Sequence, residues 1–83
     1  MKTPPRKFLF PLAKAIRERR DHLGLSQESL AEACGFDRTY ISMLERGTRN
    51  PSLQNLLKIA SGLNTSVSRL TEVYNGIEPD GKV

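Results

Sequence analysis

From Pro11 onward the apolar residues recur at helical rather than alternating spacing, and each break between apolar runs carries a start or stop signal. Leu12, Ala15, Ile16, Arg19 and Leu23 share one helical face behind Pro11, and Gly24 follows as a low-cost left-handed stop. This predicts helix one over 11–23. Ser26 reads as the N-cap of helix two, 27–34, with Leu25 and Leu30 at the staple positions, a buried stripe of Leu30, Ala31 and Cys34, and Gly35 ending it. Asp37 as N-cap, with Phe36 and Ile41 as staple, opens helix three over 38–46, closed by Gly47. Ser52 caps helix four, whose stripe is Leu53, Leu56, Leu57, Ala60 and Leu63, and Asn64 stops it. Ser66 caps helix five, 67–74, with Val67, Leu70, Val73 and Tyr74 apolar. Nothing alternates with period two for long, so no strand is assigned.

The pattern implies an all-α fold in three stretches: a basic arm over 1–10, one five-helix domain over 11–74, and a polar tail over 75–83. Eighty-three residues, 37% apolar, leave no room for a second domain or a lidded catalytic cleft. The longest charge-free stretch, Ile59 to Ser68, is half of the ~20 residues a membrane span needs. The lone cysteine, Cys34, lies on an apolar stripe and reads as core, which suits a reducing cytoplasm. His22 has no partner at metal-ligand spacing, Glu28 and Glu32 lack a cleft and a partnering base, and no Gly-rich phosphate loop occurs. Enzyme chemistry, metals and cofactors are therefore not expected.

Charge points to a partner. Thirteen Lys and Arg against nine Asp and Glu give +4 and a pI near 9.6, which favours a polyanion. The excess is concentrated in residues 1–20, where Lys2, Arg6, Lys7, Lys14, Arg17, Arg19 and Arg20 face Glu18 alone. Such an end is either a solvated arm or one that tracks phosphates.

The informative unit is helix two, the link Gly35-Phe36-Asp37, and helix three. The link is too short for antiparallel packing and sets the helices at a steep angle, which is helix-turn-helix geometry. Ala31 allows close approach, Ile41 and Leu44 turn inward, and Arg38, Thr39, Ser42 and Met43 remain outside, with Arg46 at the far end.

These residues carry a resemblance. Leu23-Gly24-Leu25-Ser26-Gln27-Glu28-Ser29-Leu30-Ala31, Gly35, Arg38-Thr39-Tyr40-Ile41-Ser42, Glu45-Arg46-Gly47 and Asn50-Pro51-Ser52-Leu53 are similar to the Xre/Cro-type domain of phage repressors. The likeness covers about 12–73, and the Arg-Thr-Tyr-Ile-Ser run most resembles the controller proteins of restriction-modification systems. It implies a compact, lambda-repressor-like five-helix domain that binds double-stranded DNA as a symmetric homodimer, often at its own promoter.

Carried over, the resemblance assigns Arg38 and Thr39 to base edges. A guanidinium independently fits guanine O6 and N7, and a threonine offers a hydroxyl and a methyl. Ser42 and Met43 lie one turn on, where Met43 either meets a thymine methyl or packs inward. Gln27 matches a phosphate-contacting glutamine that also steadies helix three, and Tyr40 either donates to phosphate or buries its ring. Arg46, Thr48, Arg49, Asn50 and Ser52 form a polar cluster suited to the sugar-phosphate chain, alternatively a solvated loop. Arg20 and Glu45 match an internal ion pair. Leu63, Val67, Leu70, Val73 and Tyr74 exceed what a thin core absorbs, so the dimer surface is expected there. RNA polymerase is the further partner that an operator near a promoter would bring in. The rival reading is an antitoxin-like or adaptor module that uses the same scaffold on another polypeptide, while a membrane-surface anchor lacks a flanking amphipathic basic helix.

Overall fold

A computed structural model describes residues 6–76 and contains five α-helices: α1 (Phe10–His22), α2 (Gln27–Cys34), α3 (Arg38–Glu45), α4 (Leu53–Gly62) and α5 (Val67–Leu70). Single 3₁₀ turns at Lys7–Leu9 and Glu72–Tyr74 flank them, and no strand occurs among the described residues. Residues 1–5 of the expected arm (1–10) and 77–83 of the expected tail (75–83) lie outside the described residues. Residues 6–10 of that arm are docked on the domain. Leu9 is buried, Phe10 opens α1, and the Arg6 amide donates to Gly47 O at 2.9 Å, so burial and a paired backbone fix residues 6–10.

The core takes one fully buried aliphatic from each of the first four helices, Ile16, Leu30, Ile41 and Ile59, and Leu63 just beyond α4. Each contributes about 1.5–3 kcal/mol on burial. The helix α3 packs on α2 and α1, and α4 packs on α2. That leaves one side of α3 uncovered.

Helix ends follow the local chemistry with one exception. Ser26, Ser52 and Ser66 accept from the amides of Ser29, Asn55 and Arg69 at 3.0–3.1 Å, satisfying orphan first-turn donors. Asp37 has the extended backbone of a cap, but its exposed side chain accepts no such bond. Gly35 adopts φ +77°, and Phe36 N then reaches back to Ala31 O at 2.9 Å, which closes α2 and sets the turn into α3.

Two expectations are corrected. On α4 the buried stripe is Leu56, Ile59, Ala60 and then Leu63, while Leu53 and Leu57 are 68% and 55% exposed. A stripe of i+3 and i+4 steps from Leu56 faces α2, and Leu53 and Leu57 fall one turn apart on its flank. The fifth helix stops at Leu70 instead of running to 74. Thr71 Oγ1 donates back to Val67 O at 2.7 Å, and the chain re-enters as a 3₁₀ turn that aims Tyr74 at α1.

Candidate nucleic-acid interface

Helix α3 presents Arg38 and Thr39 exposed in its first turn, with Ser42 and Met43 half-buried one turn later. None of these four side chains makes a hydrogen bond or ion pair among the described residues. Arg46, Arg49 and Asn50 are exposed at and beyond the other end of α3. A row of free donors, one thioether and three unpaired guanidiniums can take both base edges and phosphate oxygens.

Behind this face the end of α3 is clamped. Glu45 is 5% exposed and accepts from Arg20 Nε at 2.7 Å, Arg20 Nη2 at 2.9 Å and Gln27 Nε2 at 3.2 Å. Arg20 Nη1 also donates to Leu25 O at 2.8 Å, with Asp21 at 3.2 Å. Hydrogen bonding to Glu45 holds the Arg20 guanidinium above its ordinary range, against the opposing effect of burial, with the charges of Glu45 and Asp21 adding. Gln27, itself half-buried, therefore ties the first turn of α2 to the last turn of α3.

Tyr40 is half-buried. Its ring lies 4.8 Å from that of Phe36 and 5.6 Å from the Arg49 guanidinium, and its hydroxyl accepts from Asn55 Nδ2 at 3.1 Å, leaving the phenol proton to donate. Thr48 is turned inward, with both its amide and its hydroxyl on Met43 O. The Ser52 hydroxyl accepts from the α4 amide and keeps its own proton for an outside acceptor.

The expected pairing surface is not available as drawn. Leu63 and Leu70 are 0% and 3% exposed inside the protomer's own core, because α5 is short and lies flat on α4 and α1. Val67 is half-buried against that core, and only Val73 is open. Tyr74 is committed elsewhere: its hydroxyl donates to Phe8 O at 2.7 Å and accepts from Leu12 N at 3.0 Å. It thus supplies the α1 N-terminus with the partner that no local side chain provides. Arg19 does the same for α4, donating to Leu63 O and Asn64 O at 3.0 and 2.9 Å. Periodicity had placed Arg19 on the apolar face, and a cation there must find acceptors; Tyr74 carried no comparable signal. Among the described residues no helix is long and apolar enough to cross a membrane, and no three His, Cys, Asp or Glu side chains converge as metal ligands.

Comparison with known proteins adds the following. A family model described as helix-turn-helix matches residues 16–70. Control protein C.SmaI of Serratia marcescens is 49% identical over 59 residues, 71% of this chain and 70% of that protein. The crystal structure of the restriction-modification controller protein C.AhdI from Aeromonas hydrophila superposes with a TM-score of 0.73 at 45% identity, covering 75% of this chain and 94% of that one. A tetramer of the controller protein C.Esp1396I in complex with its natural 35 base-pair operator matches with a TM-score of 0.74 at 35% identity, covering 83% and 91%.

Proposed function

The chain belongs to the Xre/Cro-type helix-turn-helix family of DNA-binding transcription regulators, and on that premise we propose that it grips a two-fold symmetric operator as a homodimer and regulates its own promoter. Helix α3 of each subunit enters one of two successive major grooves about 34 Å apart. Arg38 and Thr39 read base edges, with Ser42 and Met43 behind them. Gln27, Tyr40, Arg46, Arg49, Asn50 and Ser52 hold the sugar-phosphate chain. The observation that carries this reading is the uncommitted outer face of α3 set on a clamped base. A scaffold retained only for protein contact has no need of free guanidiniums at both ends of one helix.

Pairing needs an apolar face, and α4 supports one. Leu53 and Leu57 are the two most exposed large hydrophobic side chains of the described chain and lie one turn apart. They take over the role expected of Leu63 and Leu70. The likeness to controller proteins supports the autoregulatory part of this reading. Output then depends on dimer concentration and on where the operator sits relative to RNA polymerase, in the cytoplasm.

The test is titration of random duplex and of a palindrome selected from random DNA, across salt. Phosphate-led binding gives a steep negative log-log slope. Arg38→Ala is expected to cost ~1–3 kcal/mol on the selected palindrome and little on random DNA. Salt-independent binding, or stoichiometric capture of a polypeptide with no DNA affinity, would establish the antitoxin or adaptor reading instead.

A further inference from the structure

We propose that Lys14, Arg17 and Arg46 form a second cationic surface that holds the phosphates of the same duplex outside each half-site. The proposal rests on the DNA-binding reading and extends it from α3 onto the side of α1. Lys14 and Arg17 are three residues apart on α1, so they share a face, and Arg46 is the residue that ends α3. All three line one shallow depression with Phe10, Ala13 and Glu45.

The wall of this depression is fixed. Phe10 packs so closely on Gly47 that a Cβ there would meet the ring at 2.8 Å, and the Arg6 amide holds Gly47 O. Its only carboxylate is already spent: both oxygens of Glu45 are taken by Arg20 and Gln27. Lys14 also lines the adjoining depression, with Lys7 and Glu18, and no ion pair forms there. Among the described residues none of Lys14, Arg17 and Arg46 has a carboxylate within salt-bridge distance.

On α1 Lys14 and Arg17 have Glu18 and Asp21 at the favourable i,i+4 spacing, yet among the described residues neither pair closes, and Asp21 turns to Arg20 instead. In the depression itself three cations converge around a neutralised acid, an arrangement that a polyanion relieves. Continuity selects DNA over an acidic polypeptide, because Arg46 follows directly on the helix whose outer face carries Arg38 and Thr39. The surface therefore begins where the recognition face ends.

The experiment compares the wild-type chain with K14Q/R17Q, both exposed positions, on two duplexes. One is the selected palindrome trimmed to its footprint at the half-sites; the other carries the same palindrome with long random flanks. On the flanked duplex the variant is expected to bind about tenfold or more weakly at ~0.1 M salt, with a log-log salt slope shallower by ~1–2. On the trimmed duplex the two proteins bind alike. Equal affinity and slope on the flanked duplex would overturn the proposal, as would an equal loss on both duplexes, which marks a general effect of net charge. Unchanged DNA binding with altered polymerase-dependent transcription would also overturn it and assign the surface to a protein. Arg38→Ala on the trimmed duplex reads the α3 face separately, so failure of the flank contact and failure of base reading are told apart.

Discussion

Replacing Glu45 by Ala removes the acceptor on which α1, α2 and α3 converge. Three donors lose their partner at once, two of them from one guanidinium at 2.7 and 2.9 Å. Breaking a buried pair by deleting one member costs about 3–5 kcal/mol, because the remaining charge is left uncompensated. Arg20 keeps Leu25 O at 2.8 Å and Asp21 at 3.2 Å, and its side chain is 13% exposed, so the cost falls to the bottom of that range or just below it, about 2–3 kcal/mol. In urea, with a slope near 1 kcal/mol/M for a chain of this size, the unfolding midpoint should fall by ~2–3 M. The double variant Arg20→Met/Glu45→Leu leaves no charge stranded and should lie within about 1 kcal/mol of wild type. Affinity for the selected palindrome should fall more than affinity for random duplex, since the clamp orients α3. A loss under ~1 kcal/mol for Glu45→Ala would show that water screens the pair. A double variant as unstable as the single would show that packing, not the unpaired cation, sets the cost.

Three further outcomes follow from the same geometry. At Gly62, an added Cβ would lie 2.5 Å from Cys34 Sγ, so Gly62→Ala should destabilise through overpacking worth about 1–3 kcal/mol, partly offset by helix propensity. In a Cys34→Ala background that penalty should vanish, and thermodynamic additivity of the two changes within ~0.5 kcal/mol would refute the contact. Burial pushes the Cys34 thiol up, against a smaller opposing contact with the Gly62 backbone, and pushes the Tyr74 phenol up against the Leu12 amide. The folded chain then retains protons that the unfolded chain sheds, so stability is full below about pH 8.5 and declines above it; Cys34→Ala should remove the first part of that decline in a urea series, and an unchanged decline would exclude the thiol as its source. If the proposed dimer pairs through α4, Leu57→Lys should dissociate it in sedimentation while leaving the protomer's unfolding midpoint nearly unchanged, and a dimer that persists would move the pairing face off α4.

The local pattern set the starts of α2, α4 and α5 because each is a one-residue decision, a serine hydroxyl within reach of its own first turn, while α3 begins after Asp37 without that bond, behind the turn that Gly35 makes at positive φ. Spacing alone also set Thr39 and Arg46 on the side of α3 opposite Ile41 and Leu44, with Arg38 on the flank, since a helix of known period has no other choice. Residues 45 and 20 were joined by resemblance, which also gave Gln27 the task of steadying α3; only packing revealed that it does so through the same Glu45 carboxylate.

What the chain could not declare locally concerns where elements lie relative to one another. Whether Leu57 or Ile59 widens the α4 stripe depends on which flank α2 covers, and that is settled by the fit of Gly62 against Cys34, 28 positions earlier in the chain. Leu63 and Leu70 have the same composition whether they face a partner or their own core; the short α5, turned back at Thr71, puts them inside. Arg19 and Tyr74 find their acceptors 44 to 66 positions away. Period and capping are properties of one turn of chain, so sequence determines them; which of two apolar flanks is covered, and which distant backbone group a polar tip reaches, exist only once the helices have been brought together.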